Sequence, residues 1–335
     1  MQNLLSRLFL TVALLGVTAC AQSSDCFSSE IFCAALVTDT LGLDDHGMNQ
    51  DTWVGLQQTK VDGLANQAAY IESIDTRDYE KNIAYFARQG FDVIVTTGPG
   101  MSDETLHSAD LFPDSVFIGM NQPQEETRPN LIPITFAEDQ MGFLAGAFAA
   151  RLTQTKVVGA VCETSGIDSM WRYCEGFRAG VLSMDKNVKV LAQYRDEGDS
   201  EKLFLDEAWG TATAQYVIQR GADVVFAAGG VTGQGAIREA ADEGVYAIGS
   251  ERDQAGALAE SNLKVVTSVY GDANFEVQDV MRMLKDGNVG DVGTSQIKYV
   301  PLNEKFPEAL SSEADELLLS LFIGEIRTNV TSTKP

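Results

Sequence analysis

The sequence predicts an α/β protein, built as two doubly wound parallel-sheet lobes around a cleft. Two observations carry that expectation. From Ile31 onward, short β-branched runs alternate with helical stretches. The runs are apolar on both faces, as strands of a helix-covered parallel sheet must be. The second observation is an internal echo. Gly90-Phe91-Asp92-Val93-Ile94-Val95-Thr96-Thr97-Gly98 is matched by Gly221-Ala222-Asp223-Val224-Val225-Phe226-Ala227-Ala228-Gly229, and each block runs through a helix to a strand ending at Gly119 or Gly249. Two such βαβ units imply two similar lobes. Ligands on open parallel sheets bind just beyond the strand C-termini, so two facing edges make one cleft.

The chain opens with one positive side chain, Arg7, followed by the apolar run Leu8 to Val17 and the small residues Thr18-Ala19. This is the pattern of a signal peptide over residues 1–19. The apolar run is well short of the ~20 residues a spanning helix needs. Val17-Thr18-Ala19-Cys20 resembles a bacterial lipobox, which marks Cys20 as the lipid attachment site and places the mature chain outside the cytoplasm. The alternative is an ordinary signal peptide that happens to contain Cys20.

Residues 20–30 read as a linker. Strands are expected at Ala34–Thr38, Ala69–Ile74, Val93–Thr97, Val116–Gly119, Leu131–Thr135, Val157–Val161, Val188–Tyr194, Val224–Ala227, Val245–Ile248 and Val265–Ser268. Helices are expected between them, at Asp78–Gln89, Ala137–Arg151, Arg172–Met184, Asp206–Arg220 and Gly235–Glu243 among others. The first lobe is assigned residues 31–132 plus about 253–288, and the second 133–252 plus about 289–327. The polar tail 328–335 reads as frayed.

Composition narrows the function. The net charge is −24, from 48 acidic and 24 basic residues. That argues against nucleic acid and against anionic membrane surfaces, both of which select positive patches. The four cysteines beyond Cys20 can pair in three ways. Closeness in sequence favours disulfides Cys26–Cys33 and Cys162–Cys174, which an exported protein can keep. Their spacing fits no common zinc pattern, so no metal is expected. There is no phosphate loop, dinucleotide fingerprint or nucleophile elbow, and the two histidines sit in no triad context. No cofactor is expected, and nothing in the chain demands an enzyme. The glycine-bearing loops at Gly98 and at Gly229-Gly230, the latter continuing through Gly233 and Gly235 between strand and helix, can present backbone N–H groups to a ligand.

At Leu36-Val37-Thr38-Asp39-Thr40-Leu41-Gly42-Leu43-Asp44-Asp45-His46-Gly47-Met48-Asn49-Gln50 the chain resembles the basic membrane protein family, lipid-anchored substrate-binding proteins of ABC transporters. Further agreement lies in Ile134-Thr135-Phe136, Gly142-Phe143-Leu144-Ala145-Gly146-Ala147, Gly176-Phe177-Arg178-Ala179-Gly180 and the stretch Gly221 to Gln254. The resemblance implies a type I periplasmic-binding fold with a purine-like ligand between the lobes, which close like a hinged trap. The expected partners are that ligand and a transporter permease, with the membrane met only through the anchor and the chain monomeric.

In nucleoside receptors of the family the purine stacks between two phenylalanines. Here Met48 takes the first position and Phe204 the second, and a thioether still packs well on a ring. Asp39 and Asn49 are kept. Three positions associated with sugar recognition depart: an acid becomes Asn121, another becomes Glu251, and a lysine is replaced by Tyr270. Loss of that lysine, with the Tyr270 ring in its space, implies a smaller cleft and a nucleobase in preference to its nucleoside. Trp171 is a candidate third aromatic wall. A ligand sensor signalling to a receptor and, more remotely, an enzyme acting in the cleft are the other readings.

Overall fold

A computed structural model describes residues 26–258, 264–287, 295–302 and 304–335; the leader and Cys20 lie outside the described residues. The first sheet comprises β1 (Cys33–Val37), β2 (Gln67–Ile71), β3 (Val93–Thr97), β4 (Val116–Met120) and β5 (Leu131–Ile134), in the order β2-β1-β3-β4-β5. All its pairings are parallel. Its connecting helices are α1 (Met48–Val61), α2 (Tyr79–Ala87) and α3 (Ser102–Leu111).

The second lobe begins with α4 (Glu138–Leu152) and continues through β6 (Val157–Cys162), α5 (Asp168–Met184), β7 (Lys189–Tyr194) and α6 (Glu207–Ile218). It proceeds through β8 (Val224–Ala228), α7 (Gly230–Asp242), β9 (Tyr246–Ser250), α8 (Gln254–Leu258) and β10 (Val265–Gly271). The chain then returns to the first lobe as α9 (Ala273–Lys285), which packs on α1. It ends in the second lobe with β11 (Ile297–Tyr299), antiparallel to β10, and α10 (Glu308–Phe322), which packs on α4.

The second sheet has the order β11-β10-β9-β8-β6-β7. Read from β7, it repeats the order of the first sheet and adds β11 at the edge. The echoed blocks form β3 and β8, which occupy the same position in their sheets and are buried along their whole length. The repeated aspartate has one task in both lobes. The Asp92 carboxylate accepts from Cys33 N (2.7 Å), and that of Asp223 accepts from Gln154 N (2.6 Å) and Thr155 N (2.9 Å). Each fixes the chain entering the neighbouring strand.

The Gly142…Gly146 and Gly176…Gly180 spacings have a packing cause. They are the contact line between α4 and α5: a Cβ on Gly142 would stand 2.0 Å from Tyr173 O, and one on Gly180 would stand 2.0 Å from Phe143 O. The two backbones touch because both helices lack side chains there. Both expected disulfides are present, Cys26–Cys33 and Cys162–Cys174.

Several expectations need correction. Strand β10 does not belong to the first lobe, where residues 253–288 were assigned; it pairs in parallel with β9, and α9 is the described element of that span that packs on the first lobe. Strand β11 has no counterpart in the sequence reading. Gly233 and Gly235 do not form a loop before a helix. They lie inside α7, where the approach of Glu207 O, 2.4 Å from a Cβ on Gly235, excludes a larger residue.

The tail is docked instead of frayed. Thr328 donates to Asp139, Trp171 Nε1 donates to Thr331 Oγ1 (3.3 Å), and Arg172 donates to Ser332 O (3.0 Å). Lys334 Nζ reaches Ser165 Oγ (2.6 Å) and Asp196 (3.5 Å). These bonds run to polar side chains of the second lobe, which is why no apolar pattern marks the tail. Among the described residues no helix is long and apolar enough to cross a membrane.

Candidate ligand-binding site

A cavity of about 380 Å³ lies between the lobes, at the C-terminal edges of both sheets. That is at the small end of the roughly 300–1,000 Å³ usual for ligand pockets. The first lobe supplies Asp39, Leu41, Asp45, Met48, Pro99 and Asn121 to its wall. The second supplies Glu138, Met141, Met170, Tyr173, Phe204, Val231, Glu251 and Arg252, with Phe136 and Gly271 at the crossings between lobes. Phe136 bridges Ser295, and its ring lies where a Cβ on Gly271 would come within 2.2 Å.

Asp39 follows β1. Its Oδ1 accepts from Asn49 Nδ2 (2.8 Å) and Leu41 N (3.0 Å). Asn49 is therefore a support behind the wall, itself held by Thr97 and by Gly42 O (2.8 Å). Burial raises the Asp39 carboxyl above its ordinary range, opposed by the Asn49 and Leu41 hydrogen bonds. Asp45 uses both oxygens to cap α1, accepting from Gly47 N (2.9 Å), Asn49 N (3.0 Å) and Gln50 N (3.1 Å). The lobes also touch here, where Asp253 N donates to His46 O (2.8 Å).

The internal echo extends into the site. Asn121 follows β4 and Glu251 follows β9, and both have left-handed backbone, φ 55° and 70°. Glu251 Oε2 accepts from Gly230 N (3.2 Å), the first residue of α7, and burial raises this carboxyl as well. Register makes a second pair. Ala34 lies beside Val93 and Val158 beside Val224, so Glu163 after β6 is the counterpart of Asp39 after β1.

Glu163 is fully buried and holds Phe204 in place. Its Oε2 accepts from Phe204 N (3.0 Å) and Thr232 Oγ1 (2.8 Å), and its Oε1 accepts from Arg195 (3.0 Å). Arg195 also reaches Asp206 (3.2 Å) and Asp199 O (2.6 Å). Val231 N closes on Phe204 O (2.9 Å). Phe204 sits at φ 62°, a costly conformation for a bulky residue, and this bracket on both backbone groups enforces it.

Six of the expected residues line the cavity: Asp39, Met48, Asn121, Phe204, Gly230 and Glu251. Gly98 and Gly229 lie one layer back, at φ 87° and 121°, against Asp39 and Glu163 respectively. Trp171 is not in the wall. Its ring stacks on Tyr194 at 5.9 Å, and its N–H is used by the tail. Tyr270 is also outside the wall, under Lys298, whose Nζ is 4.8 Å from its ring centre and which pairs with Asp51 and with Asp272 (3.3 Å).

The sequence reading missed Glu138 and its partner Arg172, Glu163, Arg195, Arg252, Met141 and Met170. The signal for Glu163 was available, since carrying the echo one strand upstream aligns it with Asp39.

The Bmp family model, described as ABC transporter substrate-binding protein PnrA-like, matches residues 32–320. The chain belongs to this family. Among its relatives, the CD4+ T-cell-stimulating antigen of Listeria monocytogenes is 30% identical over 88% of this chain and 86% of its own length. The ABC transporter nucleoside-binding protein BmpA of Lactococcus lactis is 29% identical over 79% of each chain. A solute-binding protein of an ABC transporter from Conexibacter woesei superposes with a TM-score of 0.70 at 23% identity, covering 88% of this chain and 98% of its own. One from Aeropyrum pernix gives 0.62 at 18% identity, over 88% and 92%.

The two-lobed α/β architecture expected from the sequence is thus the fold of solute-binding proteins. As a Bmp-family member the chain is an ABC transporter substrate-binding protein, a class that captures small molecules outside the cytoplasm and works with a permease.

Proposed function

We propose that this Bmp-family protein is a lipid-anchored receptor that binds a purine nucleoside or its free base and passes it to the permease of an ABC importer. The observation that carries the ligand class is the wall. Phe204 of one lobe and Met48 of the other offer apolar faces to a flat ring, with carboxylates of Asp39, Glu138 and Glu251 around its edge. A purine has apolar faces and polar edges, so it suits such a space. The name of the Lactococcus relative supports the same reading. The chain acts by binding and release, without turnover, as a monomer that meets the membrane only through its acyl chain.

Tyr270 does not narrow the cavity, which removes the steric argument for a base over a nucleoside. Glu251 keeps an oxygen that can accept from a ribose hydroxyl, so both ligands fit the reading. Calorimetric titration of adenine with adenosine, guanine with guanosine and hypoxanthine with inosine tests it. Saturable binding of at least one member is expected. Failure of all six removes the purine reading and leaves the receptor fold.

The anchor is tested separately. Cys20→Ser is expected to leave an unprocessed precursor without acyl mass in intact-protein mass spectrometry. A mature wild-type chain that begins elsewhere and carries no lipid would rule the anchor out.

A further inference from the structure

We infer that Glu138 is a specificity-determining residue, which reads an exocyclic amino group on the ligand; this rests on the purine reading above. Glu138 is the first residue of α4 and is only 6% exposed, yet it lines the cavity. Arg172 gives both its Nε (2.9 Å) and a terminal nitrogen (2.8 Å) to the same oxygen, Oε2. Oε1 receives no donor from another described residue. Arg172 is itself fixed from behind by Ser332 O of the docked tail. The carboxylate is therefore held rigidly through Oε2, with its own backbone N–H close by and no other described residue donating to Oε1.

The same half-satisfied state recurs around the cavity. Asp39 has Oδ1 filled by Asn49 and Leu41, and Glu251 has Oε2 filled by Gly230; Asp39 Oδ2 and Glu251 Oε1 receive no hydrogen bond from the described residues. Burial raises all three carboxyls. A buried carboxylate lacking donors is costly, and a ligand that supplies them gains charge-assisted hydrogen bonds. Glu138 differs from the other two in its setting. Phe136, Met141 and Tyr173 stand beside it in the wall. Tyr173 spends its hydroxyl on Met141 Sδ (3.3 Å), and the carboxylates of Glu251 and Glu138 both lie close enough to act on it, so the apolar side chains here are bordered by these two acids. A ring lying against that corner meets Glu138 with its edge, where purines carry amino and N–H groups.

The experiment compares nucleosides that differ by one amino group. Wild type, Glu138→Gln and Glu138→Asp are titrated with guanosine against inosine, and with adenosine against purine riboside. Wild type is expected to prefer the amino member of at least one pair by about tenfold or more, the scale of one hydrogen bond to a charged group. Glu138→Gln is expected to shrink that preference to less than about threefold while the amino-free member binds as before. Glu138→Asp keeps the charge beside Arg172 but shortens the reach, and is expected to lose the preference too. It decides the matter if the Gln variant fails to fold.

Wild type that binds nucleosides without discriminating in either pair overturns the role of Glu138 and leaves the purine reading intact. So does a preference unchanged in both variants. Wild type that binds no purine overturns both.

Discussion

Arg195→Met is expected to destabilise the protein by about 3–5 kcal/mol, the cost of leaving a buried charge without its partner. The Arg195 and Glu163 side chains are 1% and 0% exposed. Removing the guanidinium leaves the Glu163 carboxylate with Phe204 N and Thr232 Oγ1 as its donors among the described residues. It also releases Asp206, which caps α6 through Trp209 N (3.2 Å), and Asp199 O. Against a total stability of roughly 5–15 kcal/mol, a loss of this size is severe. Urea unfolding measures it as a lower midpoint at unchanged slope. The double variant Glu163→Gln/Arg195→Met removes both charges and keeps an acceptor for Phe204 N, so it is expected to recover much of the loss. A single variant within about 1 kcal/mol of wild type would mean that the pair does not hold this region.

What could be read from the sequence followed from repetition. The paired glycine-aspartate-valine blocks foretold β3 and β8, and the matching strand order extends that echo across both sheets. Asp39, Asn121 and Glu251 were found through the family resemblance, and each follows a strand at the cleft edge. Glu163 ends a strand in the same way, but it follows the wholly apolar β6 and precedes a cysteine-bearing helix, so nothing local marks it as polar and functional. Its role emerges only when register sets it against Asp39.

Other misses have different causes. The pattern Val265–Ser268 suits a buried strand of either lobe, and only its pairing with β9 decides between them. Trp171 and Tyr270 sit beside cleft residues in sequence, yet Trp171 serves the tail and Tyr270 lies under Lys298. Adjacency in the chain does not fix which way a side chain faces. Glu138 went unnoticed because a glutamate opening a helix is ordinarily a favourable partner for the helix dipole. Its importance depends on burial and on Arg172, which is 34 residues away.

Phe204→Ala is expected to weaken binding of the preferred purine by about tenfold or more. Base–aromatic stacking contributes roughly 1–3 kcal/mol per ring, and 1.4 kcal/mol is one decade of affinity. The effect should fall on binding far more than on folding. Phe204 is only partly buried, and its neighbour Leu205 is exposed, so truncation removes a cavity wall more than a core residue. The backbone bracket is untouched, because Glu163 and Val231 hold Phe204 through its N–H and C=O. Phe204→Leu separates two contributions: it restores apolar area without a ring face, so recovery to near wild-type affinity would assign the wall to burial alone, and partial recovery would assign a share to stacking. Met48→Phe supplies the converse. It replaces the facing thioether with a second ring, as in the nucleoside receptors of the family, and is expected to tighten binding if the ligand lies between the two positions. Calorimetry of the three variants with the purine preferred by wild type decides the question. Unchanged affinity in Phe204→Ala together with unchanged affinity in Met48→Phe would move the ligand out of this gap and refute the stacking arrangement.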